Sequence, residues 1–147
     1  MPTAAPSTIL LATDLSDSAG PATNEALDLA KRLGAPLLVV SVIDSGAMRL
    51  PSGRYRRRVD QERDERALAA RVIVERGRSL GVTVSLLVWV GDPGEAIVEA
   101  ARSEDPGMIV IGSRPRGVMA RLGIGRVSDA VLRHAPCPVL VVRGVAI

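Results

Sequence analysis

The chain has 147 residues, of which 47% are hydrophobic and 24% charged, and this length predicts a single compact domain that can bury a core without disulfides. Nineteen basic residues against sixteen acidic ones give a net charge of only +3, and one Trp, one Tyr and no Phe are too few aromatic side chains for a single-stranded nucleic-acid reader. The single cysteine excludes an intrachain disulfide and a zinc site built on paired cysteines, and it favours a reducing, cytoplasmic compartment.

Membrane association is not expected either. The apolar runs are far shorter than the ~20 residues that a helix needs to cross a bilayer. The N-terminal segment MPTAAPSTIL has no basic region ahead of an apolar stretch, so it predicts neither a signal peptide nor an anchor. We therefore expect no nucleic acid and no membrane among the partners.

The first three predicted elements are a strand, a helix and a second strand. Ile9 to Ala12 and Leu37 to Ile43 are continuous apolar runs, a pattern typical of parallel strands that are covered on both faces. Between them apolar residues recur at helical spacing, and Gly34 supplies a natural stop. The predicted apolar face of this helix consists of Ala22, Ala26, Leu29, Ala30 and Leu33.

A long connection and a long helix follow the second strand. Asp44 to about Arg56 is rich in glycine, proline and serine, which predicts a mobile loop over the sheet edge. A helix is predicted from about Arg57 to Leu80, and the mixed charges around its start indicate a solvated face with i to i+4 pairs. Its predicted apolar face includes Ala67, Ala70 and Val74.

The second half of the chain repeats the alternation. Val84 to Val90 and Met108 to Ile111 are predicted strands, and the helix between them is expected from about Pro93 to Arg102 with Asp92 as its cap. The inward residues of this helix are predicted to be Ile97, Val98 and Ala101.

A fourth helix and a fifth strand complete the pattern. The helix is expected from about Gly125 to His134, and the two prolines that flank Cys137 force the chain into a last strand, Val139 to Val142. The predicted inward residues of the helix are Val127, Ala130 and Val131. Five strands alternating with four helices predict one doubly wound α/β domain over residues 1–147, with right-handed crossovers, a parallel sheet and helices on both faces.

In such a sheet a ligand cleft lies beyond the carboxyl ends of the strands, where the strand order reverses. The most informative segment there is GSRPRGVMARLGIG, from Gly112 to Gly125, a glycine-containing loop that leads into a helix N-terminus. Unpaired backbone N–H groups and the helix dipole favour phosphate, although the same segment is compatible with an ordinary exposed loop. Four arginines add positive charge, namely Arg114, Arg116, Arg121 and Arg126.

The remaining candidates do not form a catalytic set. Asp14 follows the first strand, and it either caps the turn into the first helix or points its carboxylate into the cleft, toward a ribose hydroxyl or a metal ion. His134 and Cys137 lie close in sequence, but no carboxylate is predicted to orient the ring, so we interpret His134 as a helix C-terminal residue and Cys137 as a packing residue. No catalytic residue and no metal ligand is assigned.

Three segments together resemble the universal stress protein family. They are ILLATDLSDSA near the start, VVSVID at the end of the second strand, and IVIGSRPRG with GRVSDAVLRHAPCPVLVV near the end. The resemblance covers essentially the whole chain. It implies a Rossmann-like sheet of order 3-2-1-4-5 and a homodimer formed through the C-terminal strand.

The same resemblance implies an adenine-nucleotide site. It places Asp14 near the ribose and metal, the Val42 backbone at the adenine, and Gly112, Gly125 and Val127 along the phosphates. The implied ligand is ATP, with Mg²⁺ as its companion ion. The candidate nucleotide-binding residues are Ala12, Thr13, Asp14, Val42, Ile111, Gly112, Ser113, Gly125, Arg126 and Val127.

Two positions depart from the family's nucleotide-binding loop, which runs Gly, two residues, Gly, nine residues, Gly, then Ser or Thr. Pro115 occupies the middle glycine position and has no N–H to offer a phosphate, and Arg126 occupies the hydroxyl position. Gly117 and Gly123 are expected to give the loop its flexibility by another route.

Three interpretations of function stay open. The first is an ATP-binding universal stress protein-like module that acts in stress response and hydrolyses ATP slowly at most. The second is a non-binding dimeric interaction module, and the third is an unrelated doubly wound enzyme such as a phosphatase or transferase.

Overall fold

Five parallel strands form one sheet in the computed structural model, which describes residues 7–47, 50–113 and 125–143. The order β3-β2-β1-β4-β5 confirms the expected topology, and every neighbouring pair is parallel. The strands are β1 (Ile9–Ala12), β2 (Leu37–Asp44), β3 (Val84–Gly91), β4 (Met108–Ser113) and β5 (Val139–Arg143).

Four α-helices connect the strands. They are α1 (Gly20–Leu33), α2 (Ser52–Leu80), α3 (Pro93–Glu104) and α4 (Arg126–His134). The predicted caps are confirmed: Gly34 ends α1 in the left-handed conformation, and the Asp92 carboxylate accepts a hydrogen bond from the Glu95 N–H at the start of α3. No helix in these described ranges combines the length and the apolar composition that crossing a bilayer requires.

Two apolar cores lie on opposite faces of the sheet, which explains why the strands show no polar alternation. Ile9 and Leu11 of β1 pack on the side of α1 and α2, whereas Leu10 and Ala12 pack on the side of α3 and α4. All four side chains are buried because β1 lies between β2 and β4 in the middle of the sheet.

The connection after β2 differs from the prediction. Asp44 still belongs to β2, a short 3-10 helix covers Ser45–Ala47, and α2 already begins at Ser52 rather than at about Arg57. The predicted loop over Asp44 to Arg56 is therefore wrong for its last residues. Gly53 lies in the first turn of α2, where its entropic cost does not prevent the arginine-rich segment after it from forming a helix.

The helix faces are partly as predicted. Ala22, Ala26 and Ala30 of α1 are buried, but Leu33 in its last turn is 56% exposed. Val127 and Ala130 of α4 are half-buried beside the buried Val131.

The inward face of α2 differs more. Ala70 is buried as expected, but Ala67 is exposed. The other buried residues of the helix are Ile73 and Gly77. The predicted Val74 is half-buried, so the inward stripe of α2 agrees with the prediction at Ala70 and departs from it at Ala67.

Candidate functional site

A cleft of about 580 Å³ opens at the carboxyl edge of the sheet, where β1 and β4 lie side by side. The helix after β1 packs on one face of the sheet and the helix after β4 packs on the other. The chain therefore diverges at this point and leaves a crevice, as expected for a doubly wound sheet.

All ten candidate residues line this cleft, although they come from four separate segments of the chain. Those segments are the end of β1, the end of β2, the end of β4 and the start of α4. The lining residues are Ala12, Thr13, Asp14, Val42, Ile111, Gly112, Ser113, Gly125, Arg126 and Val127.

The turn after β1 is held by its own side chains. The Asp14 Oδ1 atom accepts hydrogen bonds from the Ser16 N–H at 3.0 Å and from the Ser16 hydroxyl at 2.6 Å. Thr13 Oγ1 accepts from the Leu15 N–H at 3.0 Å, and the Thr13 N–H donates to the Val40 carbonyl. Asp14 thus organises this turn, and it also lines the cleft. That its carboxylate meets a ribose hydroxyl or a metal ion stays a prediction.

The end of β2 forms the wall next to this turn. Val42 is half-buried and lies in register with Trp89 of β3, on the side of the sheet that α3 covers. Asp44 also lines the cleft, and its Oδ1 atom accepts a hydrogen bond from the Gly46 N–H at 3.0 Å. The backbone of β2 and an apolar side chain therefore meet the cleft at the same place.

The opposite end of the cleft is the N-terminus of α4. Gly125 is the N-cap residue and has an extended backbone. Because glycine has no side chain, it supplies no oxygen to bond the first N–H groups of the helix. Arg126, the next residue, is exposed. Such a helix start offers unpaired N–H groups and positive potential. The Ser128 hydroxyl donates to the Gly125 carbonyl at 3.0 Å, which ties the cap to the first turn.

Several residues considered from the sequence lie outside the described residues. They are the loop positions Arg114, Pro115, Arg116, Gly117, Arg121 and Gly123. At this end of the cleft, the described lining therefore consists of Gly112, Ser113 and the start of α4.

Sequence reasoning missed Arg66, a cleft-lining residue from the middle of α2. Its guanidinium donates from Nη1 to the Ser41 hydroxyl at 2.9 Å and from Nη2 to Glu62 Oε2 at 3.3 Å. The missed signal is helical spacing, because Arg66 lies one turn before the buried Ala70 on the inward stripe of α2.

The lone cysteine and histidine lie away from the cleft lining. His134 ends α4 and is exposed, and Cys137 is half-buried against the core on the α3 and α4 side. Burial raises the pKa of the Cys137 thiol, the Asp105 carboxylate raises it further, and a hydrogen bond with the Ile109 backbone works in the opposite direction. A thiol held neutral in this way is a poor nucleophile, which agrees with a packing role.

The described residues were considered as ligands for a metal ion. Across residues 7–47, 50–113 and 125–143, no three His, Cys, Asp or Glu side chains gather closely enough to hold an ion. A magnesium ion at Asp14 would need oxygen ligands from elsewhere, and the phosphates of a nucleotide are the usual source.

Comparison with known proteins identifies a shared family. Residues 6–143 match the model of the Universal stress protein family. The chain is 39% identical over 137 residues to the Universal stress protein in QAH/OAS sulfhydrylase 3'region of Thermus aquaticus, which covers 92% of this chain and 98% of that protein.

Solved structures of universal stress proteins have the same fold as this chain. The universal stress protein UspA from Lactobacillus plantarum matches with a TM-score of 0.83 and 27% identity, over 96% of this chain and 100% of that one. The universal stress protein from Archaeoglobus fulgidus in complex with dAMP matches with a TM-score of 0.68 and 25% identity, over 95% and 98% of the two chains.

Proposed function

Because this chain belongs to the universal stress protein family, we propose that its cleft binds an adenine nucleotide, with ATP as the ligand. The observation that carries the proposal is that residues from the ends of β1, β2 and β4 and from the start of α4 line one cleft. The solved complex of an Archaeoglobus fulgidus relative with dAMP supports the ligand class.

The two ends of the cleft suit the two ends of a nucleotide. The apolar wall at Val42 and the backbone of β2 suit a base, and the Asp14 carboxylate next to them suits the hydroxyls of a ribose. The start of α4 suits phosphates, because its N–H groups and the Arg126 guanidinium are both positive. Mg²⁺ would reach Asp14 together with the phosphates and would neutralise part of their charge.

The first test is binding itself. Protein purified without added nucleotide is denatured, and the supernatant is analysed for adenine nucleotide. In parallel, the melting temperature is measured with and without millimolar Mg-ATP. A ligand at a hundredfold excess over its dissociation constant stabilises the folded state by about 2.7 kcal/mol, so we expect a clear upward shift. An unmoved melting temperature together with an empty supernatant would favour the non-binding alternative.

The role of Arg126 is tested by a charge comparison. We expect Arg126→Ser to weaken ATP far more than adenosine, because the guanidinium would serve the phosphates alone. Arg133→Ser is the matched control, since Arg133 lies in the same helix, pairs with Asp129 at 3.0 Å and does not line the cleft. Equal ATP affinities for Arg126→Ser and the parent would make Arg126 a surface residue.

A second candidate, a dimeric interaction module, is favoured by the position of β5. This strand is at the edge of the sheet, and its four apolar residues are only half-buried in the single chain. We propose that two copies pair through β5 as a homodimer, whether or not the cleft binds a nucleotide. The proposed compartment is the cytoplasm, because its reducing conditions keep a single cysteine in the thiol form.

A further inference from the structure

Arg66 occupies an unusual position for a charged residue. The inward stripe of α2 runs through Ala70, Ile73 and Gly77, which are all buried, and Arg66 continues that stripe by one turn toward the cleft. Its side chain is only 17% exposed. An arginine at such a position needs polar partners, because a buried guanidinium without them is strongly destabilising.

Those partners belong to three different elements. Arg66 Nη1 donates to the hydroxyl of the fully buried Ser41 on β2, and it reaches the backbone carbonyl of Asp14 after β1 at 3.5 Å. Arg66 Nη2 pairs with Glu62 on α2 at 3.3 Å. One guanidinium therefore connects α2, β2 and the turn that carries Asp14.

A partly buried carboxylate, that of Glu62, fixes the position of the Arg66 guanidinium. Glu62 is only 18% exposed, and besides Arg66 it pairs with Arg58 at 3.1 Å, so the three side chains form a row along α2. Arg66 Nε is buried and finds no hydrogen-bond partner among the described residues. An unsatisfied buried donor costs stability, and such a cost is accepted where the group is needed for another reason.

We infer that Arg66 is a positioning residue of the nucleotide site. Its guanidinium holds the Asp14 turn in the position that the ribose requires. This inference rests on the proposed function, because the ribose is its object. The Asp14 side chain fixes the turn from within through Ser16, and Arg66 fixes the same turn from outside through the Asp14 carbonyl. Loss of the guanidinium removes the contact to the Asp14 carbonyl, so we expect the turn that carries the carboxylate to be held less precisely where ribose hydroxyls would meet it.

The variants are Arg66→Met, Arg66→Lys and a matched control, Arg58→Met. Methionine keeps the length and the apolar part of the side chain but removes the donors. Lysine restores the charge but has no planar fork to bridge several acceptors, so it is a partial rescue. Arg58→Met removes the other cation that pairs with Glu62 and leaves the contacts to Ser41 and Asp14 intact.

The first readout needs no ligand. In amide NMR spectra of the nucleotide-free protein, we expect the Leu15 and Ser16 resonances to shift and to exchange faster in Arg66→Met. We expect them to match the parent in Arg58→Met. Both amides donate to side chains of the turn, so they report on its geometry directly.

The second readout compares ATP with 2′,3′-dideoxy-ATP. We expect Arg66→Met to weaken ATP on the order of tenfold, as for the loss of a hydrogen bond to a charged group, and to weaken the dideoxy analogue about twofold or less. Arg66→Lys should lie between Arg66→Met and the parent.

The outcomes separate the two proposals. Unchanged Leu15 and Ser16 resonances in Arg66→Met overturn the positioning role, and so does an equal loss of affinity for the two nucleotides. A parent protein that binds neither nucleotide refutes the proposed function instead. In that case the amide spectra still decide whether Arg66 holds the turn.

Discussion

Gly77 shows how much a single side chain can matter in this fold. It lies on the inward stripe of α2 where the helix meets the start of β3. A Cβ atom at this position would collide with Val84 Cγ2 and would lie 2.9 Å from the Val82 carbonyl oxygen. The absence of a side chain therefore allows α2 to approach the sheet closely at this point.

We expect Gly77→Ala to lower the free energy of unfolding by about 1–3 kcal/mol, because overpacking outweighs the ~1 kcal/mol that alanine gains over glycine in a helix. Gly53→Ala is the matched control, since a Cβ atom there meets nothing within 4 Å. The control should be neutral or slightly stabilising. Urea unfolding midpoints measure both changes, and equal stabilisation by the two substitutions would contradict the close contact.

The cleft residues could be predicted from the sequence because they lie at or just after the carboxyl ends of strands, and those ends meet at one edge of a parallel sheet. Val42 and Gly112 lie near the ends of β2 and β4, and Asp14 follows β1. Arg66 could not be predicted in this way because it comes from the middle of a helix, and its place depends on the rotation of α2 about its axis. The prediction that Ala67 faces inward is wrong for the same reason: helical spacing alone does not determine the rotation of α2, and Ala67 is exposed.

At the scale of elements, β3 forms one edge of the sheet and β5 forms the other. Strand β5 lies at the edge beyond β4, and its outer side has no neighbour among the described residues. The Ile109 N–H donates to the Pro138 carbonyl, and the alternation of a parallel ladder then directs the N–H groups of Leu140 and Val142 to β4. The N–H of Val141 therefore points outward, where a second copy would pair.

We expect Val141→Pro to abolish the proposed dimer and to leave the ladder with β4 largely intact, because proline removes only an outward N–H. Val141→Thr is the matched control, since threonine keeps the N–H and the branched shape. Sedimentation velocity at micromolar concentration distinguishes the states. A monomeric parent would rule out the arrangement, and a dimer that survives Val141→Pro would place the interface on another surface.

The strand and helix pattern was more predictable than the boundaries. Continuous apolar runs identified all five strands, and Gly34 and Asp92 marked helix ends correctly. The start of α2 was missed because Pro51, Ser52 and Gly53 resemble a loop by composition. In the structure the Tyr55 N–H already donates to the Pro51 carbonyl, so the helix forms from its first possible turn.

At the scale of the whole molecule, the described part of the cleft lining brings together few of the groups that catalysis uses. Cys137 and His134 do not line the cleft, and within the described ranges Asp14 and Asp44 are the carboxylates that do. The Oδ1 atom of each accepts a hydrogen bond from a backbone N–H two residues later. Among the described residues, the cleft lining therefore does not bring together a base and a nucleophile.

We therefore expect ATP turnover well below the ordinary enzymatic range, that is, below about 1 per second. Phosphate release is measured at saturating Mg-ATP, and Asp14→Asn serves as the control for contaminating activity, because it should remove turnover that belongs to this cleft. Steady turnover above that rate, lost in Asp14→Asn, would show that the cleft is catalytic.

The pairing of Val42 with Trp89 has a practical consequence. Trp89 is the single tryptophan of the chain, and its strand partner forms the wall of the cleft where the base would lie. When tryptophan is excited selectively, so that Tyr55 does not contribute, the emission originates next to that wall, and binding at the base can be followed by intrinsic fluorescence. Arg126 stands at the opposite end of the cleft, which allows its substitution without disturbing the reporter.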